Sequence, residues 1–123
     1  MAINPAGAAG MGLQLYQGVP GATAATVYTA PGYSANVTSP AATAIVTGWV
    51  ICNTSATASG SIALYAVASG GTIGTANAWL YNFLLAPNDT LVSTQLNQYL
   101  PASSTIAAAG TNVTLTLSGV EIQ

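Results

Sequence analysis

The stretch Val113-Thr114-Leu115-Thr116-Leu117-Ser118, near the end of the chain, alternates strictly between apolar and hydroxyl-bearing residues. Successive side chains of a β-strand point to opposite faces, so this alternation predicts a strand with one buried and one exposed face. After Gly119 the apolar positions become Val120 and Ile122, which means that the alternation changes phase. A bulge at Gly119 would return both residues to the buried face and would leave Glu121 in solvent.

Similar segments recur upstream, where short runs rich in Thr, Val, Tyr and Ile are separated by Gly, Pro, Asn and Ser. This pattern is typical of an all-β protein, and it predicts an antiparallel β-sandwich or a jelly-roll-like barrel. One short turn of helix is possible near Thr94–Tyr99. The predicted strands are Ala25–Ala30, Ala44–Thr54, Ser61–Ala68, Ala78–Ala86, Thr90–Thr94, Thr105–Ala109 and Asn112–Ile122.

The first part of the chain differs in composition from the rest. Residues 1–24 are rich in Gly and Ala and are interrupted by Pro5 and Pro20, which predicts an extended N-terminal arm with one short strand at Leu13–Gln17. The arm is too apolar for a flexible linker, so we expect it to lie along a neighbouring surface. Residues 25–123 form the predicted β-sandwich domain, and a chain of 123 residues is long enough to bury one core.

Charge is almost absent from this chain. It contains no Lys, Arg or His, and Asp89 and Glu121 are its only acidic side chains. Nucleic-acid binding depends on Lys and Arg, general acid–base catalysis on His, Lys or paired carboxylates, and metal binding on clusters of His, Cys, Asp or Glu. We therefore expect no nucleic-acid partner, no enzymatic activity, no cofactor and no metal.

The same lack of charge bears on association. Soluble monomers are usually kept apart by interspersed surface charges. Charged residues make up 2% of this chain, against about 25% in typical domains. Much of its surface is therefore expected to be covered by further copies or by a partner. No run approaches the roughly 20 apolar residues of a membrane helix, so a membrane partner is not expected.

Two single residues remain as candidates for chemistry. Cys52 lies in an apolar run and has no cationic side chain to favour its thiolate, so we expect a buried, inert thiol. Asp89 follows Pro87-Asn88, which is typical of a turn residue whose carboxylate accepts backbone N–H groups. Alternatively, Asp89 could supply one ligand of a calcium site between subunits, since Ca²⁺ also accepts carbonyl and amide oxygens.

The run Ala78–Leu85 is apolar on both strand faces, since Leu80 and Leu84 lie opposite Trp79, Tyr81, Phe83 and Leu85. Such a strand lies either in the covered centre of a sheet or at a subunit contact, and the lack of charge favours the contact. The predicted interface residues are Trp79, Leu80, Tyr81, Phe83 and Leu84, together with Leu13, Leu15 and Tyr16 in the arm.

The aromatic residues allow two interpretations. They could form a platform on which sugars stack, or they could pack in the core and at interfaces with their polar atoms reaching a partner. They are Tyr16, Tyr28, Tyr33, Tyr65, Tyr81, Tyr99, Trp49 and Trp79. Four matches to the glycosylation pattern, beginning at Asn36, Asn53, Asn88 and Asn112, are expected by chance in a chain so rich in Ser and Thr.

Seven short segments follow one another along the chain and carry a resemblance. They are Tyr28–Gly32, Ile51–Ala56, Ala63–Val67, Ser69–Thr72, Ala86–Leu91, Leu100–Ala102 and Leu117–Ile122. In this order they resemble segments of small structural proteins of tailed bacteriophages that are described as virion, decoration or tail-associated proteins. The resemblance covers roughly residues 25–122 and implies a compact β-sandwich carried on a virus particle. Those proteins also carry scattered Lys, Arg and additional acidic residues, which this chain lacks.

The lack of charge and the resemblance together lead to the hypothesis that this is a virion structural protein, made in the host cytoplasm. The specific expectation is a capsid decoration, or cement, protein that binds between capsomers through apolar surfaces. Its partners would be the major capsid protein and further copies of itself, with a trimer favoured. One alternative is a tail or tail-fibre module that binds a host receptor or glycan, and another is a subunit of a non-viral surface layer or sheath.

Overall fold

The computed structural model of the protein describes residues 12–32 and 42–122. Within these ranges the chain forms nine β-strands and one short 3-10 helix at Thr75–Asn77. The strands are β1 (Leu13–Gly18), β2 (Ala25–Thr29), β3 (Ala42–Asn53), β4 (Gly60–Val67), β5 (Ala78–Leu85), β6 (Thr90–Ser93), β7 (Gln98–Pro101), β8 (Thr105–Thr111) and β9 (Val113–Glu121).

The strands form two antiparallel sheets packed against each other, which confirms the all-β sandwich. The front sheet has the order β1-β9-β3-β6, and the back sheet has the order β2-β8-β4-β5. Strand β7 also pairs with β3, along Ala42–Val46, whereas β6 pairs with Trp49–Cys52. Because β9 occupies the other side of β3, β6 and β7 follow one another along the same edge of the front sheet.

The main core lies between the sheets, where β3, β4, β8 and β9 each contribute alternate side chains. Its largest fully buried members are Val46, Ile51, Ile62, Leu64, Leu85, Leu100, Ile106, Val113, Leu115 and Leu117. A second, smaller cluster contains Ala63, Tyr65, Val67 and Ala107, which alternate with the core residues of β4 and β8 and so lie on the other face of the back sheet. Strands β4 and β8 therefore carry buried side chains on both faces.

Strand β9 confirms the predicted alternation but not the predicted bulge. Val113, Leu115 and Leu117 are buried, and Gly119 continues the same phase. The register shifts lie instead in the neighbouring strands, in β3 between Val46 and Gly48 and in β1 between Gln14 and Tyr16. Since β9 keeps its phase, Val120 and Ile122 do not return to the core.

Most predicted strands are confirmed within one or two residues at each end, and the strand expected at Leu13–Gln17 is β1, which pairs with β9. The helical turn considered near Thr94–Tyr99 is wrong, because residues 94–97 have no regular structure and β7 begins at Gln98. Residues 1–11 of the predicted arm, Tyr33 and Asn36 lie outside the described residues. The boundary predicted at residue 24 stays a prediction. None of the described residues belongs to a helix long and apolar enough to cross a membrane.

Candidate functional site

Strand β5 forms one edge of the back sheet, where β4 is its neighbour among the described strands. Its pairing with β4 shifts register twice, between Ile62 and Leu64 and between Leu64 and Tyr65. Asn82, inside the first irregularity, has a left-handed φ of 50°, which Asn tolerates better than most residues. Bulges of this kind hinder regular pairing with a further strand, so β5 presents its side chains rather than an open backbone edge.

Three apolar side chains of β5 are exposed within four residues. Tyr81 is 57% exposed, Phe83 42% and Leu84 72%, whereas Leu85 is buried in the core. We refer to Tyr81, Phe83 and Leu84 as the β5 strip. Large apolar side chains that lie together at a surface mark an interaction site more often than singly scattered ones do.

The structure divides the eight residues that the sequence suggested for an interface. Trp79 and Leu80 are half-buried and pack against the main core, as do Leu15 and Tyr16 of β1, and Leu13 is also half-buried. Strand β1 contacts β2 across the sandwich, which places β1 and β5 at opposite edges. The predicted interface residues of β1 and those of β5 are therefore not brought together within one chain.

The outer face of the front sheet carries exposed apolar residues that the predicted interface did not include. Val50 of β3 pairs with Val92 of β6, and both are exposed, as is Tyr99 of β7. Cys52 lies two residues beyond Val50 and is half-exposed, with its Sγ 3.2 Å from Oγ1 of Thr90. The expectation of a buried thiol is therefore wrong, because the thiol lies on the outer face of this sheet.

The two tryptophans meet between the sheets. Trp49 of β3 is only 7% exposed, and its ring stacks on that of Trp79 of β5, with centroids 6.1 Å apart and an angle of 28° between the ring planes. This separation falls within the range of favourable aromatic pairs. The stack joins the front sheet to the back sheet at the edge where β6 ends and β7 begins.

A cleft of about 270 Å³ opens beside this stack, lined by Trp49, Ala78, Trp79, Leu96 and Gln98. We call it the tryptophan cleft. The indole Nε1 of Trp49 is buried and has no hydrogen-bond partner in the described part of the chain. Sequence reasoning named both tryptophans among the aromatics but did not bring them together, since they lie thirty positions apart in the chain.

The two acidic side chains lie in different settings. Asp89 is exposed and accepts a hydrogen bond from its neighbour Thr90 N at 2.9 Å, which confirms the predicted turn. Glu121 was expected in solvent, but it is half-buried and accepts a hydrogen bond of 2.7 Å from the Tyr28 hydroxyl. Burial, this hydrogen bond and the charge of Glu121 together raise the pKa of Tyr28 well above its usual range. Across residues 12–32 and 42–122, no group of three His, Cys, Asp or Glu side chains could hold a metal ion.

Comparison with known proteins did not add to this geometry. No protein-family model matches the chain, and the searches of curated proteins and of solved structures found no match.

Proposed function

We propose that this protein is a virion structural protein that decorates a capsid, binding between capsomers as a homo-oligomer, with a trimer favoured. The observation that carries the proposal is the β5 strip, an exposed apolar surface on a chain that has two charged side chains in total. The resemblance of the sequence to phage structural proteins is the reason for proposing a virus capsid as the assembly.

Exposed apolar side chains also occur outside β5. Strand β6, with the exposed Val92, forms the front-sheet edge that lies on the same side of the sandwich as β5. A standard interface buries roughly 800 Å² on each partner, more than three side chains can supply, so we expect the contact to continue around this edge. Burial of apolar surface stabilises the contact by about 25 cal/mol per Å², and attachment at many lattice points adds avidity.

The copy number of the protein in purified particles tests the proposal. Quantitative mass spectrometry against the major capsid protein should find hundreds of copies in a fixed ratio. A handful of copies would move the protein to the tail, and none would overturn a virion role.

The β5 strip makes a separate prediction about self-association. Leu84→Ser should weaken oligomer formation about tenfold or more per contact, because a leucine that is buried on assembly contributes roughly 1.5–3 kcal/mol. Val19→Ser is the matched control, since Val19 is 71% exposed, almost as much as Leu84, but lies outside β5. Sedimentation velocity over a concentration series measures both variants against the wild type. Equal weakening by both substitutions, or by neither, would contradict a contact at β5.

A tail or tail-fibre module that binds a host receptor or glycan is the second candidate function. The tryptophan cleft favours it, because a partly open aromatic wall next to hydrogen-bonding groups is a usual form of small-ligand site. The particle copy number separates this function from capsid decoration.

A further inference from the structure

The two sheets differ in how their outer faces are covered. On the back sheet, Ala63, Val67 and Ala107 point away from the main core but are buried, and Ala24 and Ala78 of the same chain pack against them. On the front sheet, three apolar residues point outward and are exposed, namely Val50, Val92 and Tyr99. The chain thus covers the outer face of the back sheet and leaves apolar side chains exposed on that of the front sheet.

The outer face of the front sheet is built from residues that alternate with the main core. Along β3 and β9, buried side chains point between the sheets, so the residues that alternate with them point outward. Cys52 and Ser118 belong to this outward set. The outward residues form cross-strand rows, two of which are Thr116–Val50–Val92, across β9, β3 and β6, and Val120–Ile45–Tyr99, across β9, β3 and β7.

None of these outward residues carries a charge. Both acidic side chains of the chain lie elsewhere, since Glu121 points inward to Tyr28 and Asp89 precedes β6 in a turn. The polar groups of the face are mainly hydroxyls of Thr, Ser and Tyr, each of which can both donate and accept a hydrogen bond. A charged group of a partner would be buried here without a counter-charge, which costs free energy.

Charge complementarity therefore narrows the partner. About 25% of the residues of a typical domain are charged, so most protein surfaces would place unpaired charges against this face. A second copy of the same face brings no charge of either sign, its methyl groups bury against methyl groups, and its hydroxyls can pair with hydroxyls. A contact between two identical faces is also closed, since each patch meets its own copy across a two-fold axis.

The size of the face agrees with such a contact. From Ile45 to Cys52, β3 covers about 24 Å at a rise of about 3.4 Å per residue, and four strands about 4.8 Å apart cover roughly 19 Å. Two such faces would bury on the order of 900 Å² before side-chain relief is counted, close to the roughly 1,000 Å² that a specific interface needs. Sheets pack on sheets in this way within proteins, about 10 Å apart and with their strands at about 30°.

We propose that the outer face of the front sheet binds the same face of a second copy of this chain, which gives a two-fold dimer with four layers of sheet. The dimer depends on neither a capsid nor the β5 strip, which lies at the edge of the back sheet. Where the β5 strip joins copies into a trimer, the dimer contact links one trimer to the next. Val92 lies near both surfaces, so the experiment uses Val50 and Ser118, on the two central strands of the front sheet.

The first test places a carboxylate in the middle of this face. Val50→Asp should weaken dimer formation at least about tenfold, because the dimer would bury two like charges without a counter-charge. Ile73→Asp is the matched control, since it changes the net charge equally and Ile73 is 40% exposed, against 39% for Val50, but it lies between β4 and β5 of the back sheet. All variants also carry Leu84→Ser, which weakens association at the β5 strip, and sedimentation velocity measures the dissociation constants.

Ser118→Asp is the second variant of this face. Ser118 is already exposed, so this substitution should leave the fold intact. It should also weaken the dimer at least about tenfold, for the same electrostatic reason. Thermal unfolding shows whether each variant is folded, and if Val50→Asp is not, Ser118→Asp decides.

Cys52 supplies an independent readout, because it is the only cysteine of the chain and lies half-exposed on this face. A face-to-face dimer covers the thiol. Its rate of alkylation by excess iodoacetamide in the Leu84→Ser protein should therefore fall severalfold as the protein concentration rises through the dissociation constant. With Val50→Asp added, the rate should stay constant over the same range of concentration.

Three outcomes would overturn the proposal. One is that the Leu84→Ser protein stays monomeric up to about 1 mM, which would leave this face to a different partner. Another is that it dimerises while Cys52 reacts equally fast at every concentration, which would place the contact elsewhere. The third is that the folded variants of this face weaken the dimer no more than Ile73→Asp does. All three leave the β5 contact and capsid decoration intact, because these are tested by Leu84→Ser against Val19→Ser and by the copy number in particles.

Discussion

Asn53 is the buried polar residue that ties the two sheets together at one end of the sandwich. It ends β3 and is only 3% exposed, and its Nδ2 donates to the carbonyl oxygens of Ala58, Leu85 and Ala86 at 2.9–3.1 Å. Its Oδ1 accepts from Ser55 N at 2.8 Å. The match to the glycosylation pattern at this position is thus explained by a structural role, since the amide is enclosed by the fold.

Replacement of Asn53 by Ala should lower the free energy of unfolding by about 2–4 kcal/mol, because a buried side chain loses all its hydrogen bonds at once and the buried carbonyl of Leu85 loses a donor. Asn77→Ala is the matched control. The side chain of Asn77, at the end of the 3-10 helix, also makes two hydrogen bonds to the backbone, to Thr72 O and from Gly74 N, but both are exposed, so water can replace them. Urea unfolding measures both variants. If Asn77→Ala lowered the free energy of unfolding as much as Asn53→Ala does, burial would not be the cause of the Asn53 effect.

At the level of the strands, the bulge in β3 lies where the backbone of β3 comes very close to the end of β6. Thr47 is the extra residue, and the next residue, Gly48, is buried against the end of β6. A Cβ at Gly48 would collide with the Ser93 carbonyl oxygen and would come within 3.4 Å of Thr94 Cα. The close approach of two backbones, rather than an unusual φ, therefore requires glycine at this position.

Gly48→Ala should destabilise the fold by about 1–3 kcal/mol, because the end of β6 has to move away from β3. The control is Gly74→Ala. A Cβ at Gly74 meets no atom within 4 Å, and its φ of −167° is extended backbone that any residue adopts, so this substitution should be neutral or slightly stabilising. Thermal and urea unfolding of the two variants test the difference. Equal free energies of unfolding for the two variants would mean that the end of β6 moves away from β3 without destabilising the fold.

Across the whole molecule, the two sheets are joined by the main core, by the hydrogen bonds of Asn53 and by two further side-chain contacts near the margins of the core. One is the stack of Trp49 on Trp79, and the other is the hydrogen bond from Tyr28 of β2 to Glu121 of β9. The second contact couples the stability of the sandwich to pH. Burial, the hydrogen bond and the carboxylate charge all favour the protonated Tyr28, so its pKa is higher in the folded state than in the unfolded state.

The sign of this coupling follows from the direction of the shift. Below the ordinary tyrosine pKa of 10.0, both states keep the proton and the stabilisation is complete. Above it, the unfolded chain releases the proton first, so stability falls as pH rises.

Tyr28→Phe should therefore show a shallower alkaline loss of stability than the wild type in urea unfolding at several pH values. The control Tyr81→Phe removes an exposed phenol and keeps the Tyr28–Glu121 contact, so it should retain the Tyr28 part of the loss. An unchanged alkaline slope in Tyr28→Phe would contradict this linkage.

The fold class and most strand positions could be predicted from the amino-acid sequence, and the near-absence of charge is read from it directly. These features are local or compositional: a period of two along β9 and turn residues between runs can be read without knowing what lies next to them. The predicted strand at Leu13–Gln17 and the turn at Asp89 belong to the same group, because each depends on a few adjacent residues. The residues of the β5 strip could also be named from the sequence, because they lie within one short apolar run.

Which strands are neighbours could be learned only from the folded chain, and the predictions that were wrong concern these neighbours. Glu121 faces inward because β9 continues past Gly119 without a bulge. The register shifts lie in β1 and β3 instead, and the sequence of β9 does not indicate them. Likewise, the inner strands β4 and β8, rather than β5 at the edge of the back sheet, carry buried side chains on both faces. The tryptophan cleft depends on two residues from different sheets and on the gap between β6 and β7. Contacts between distant parts of a chain depend on packing, which the periodicity of a single strand does not record.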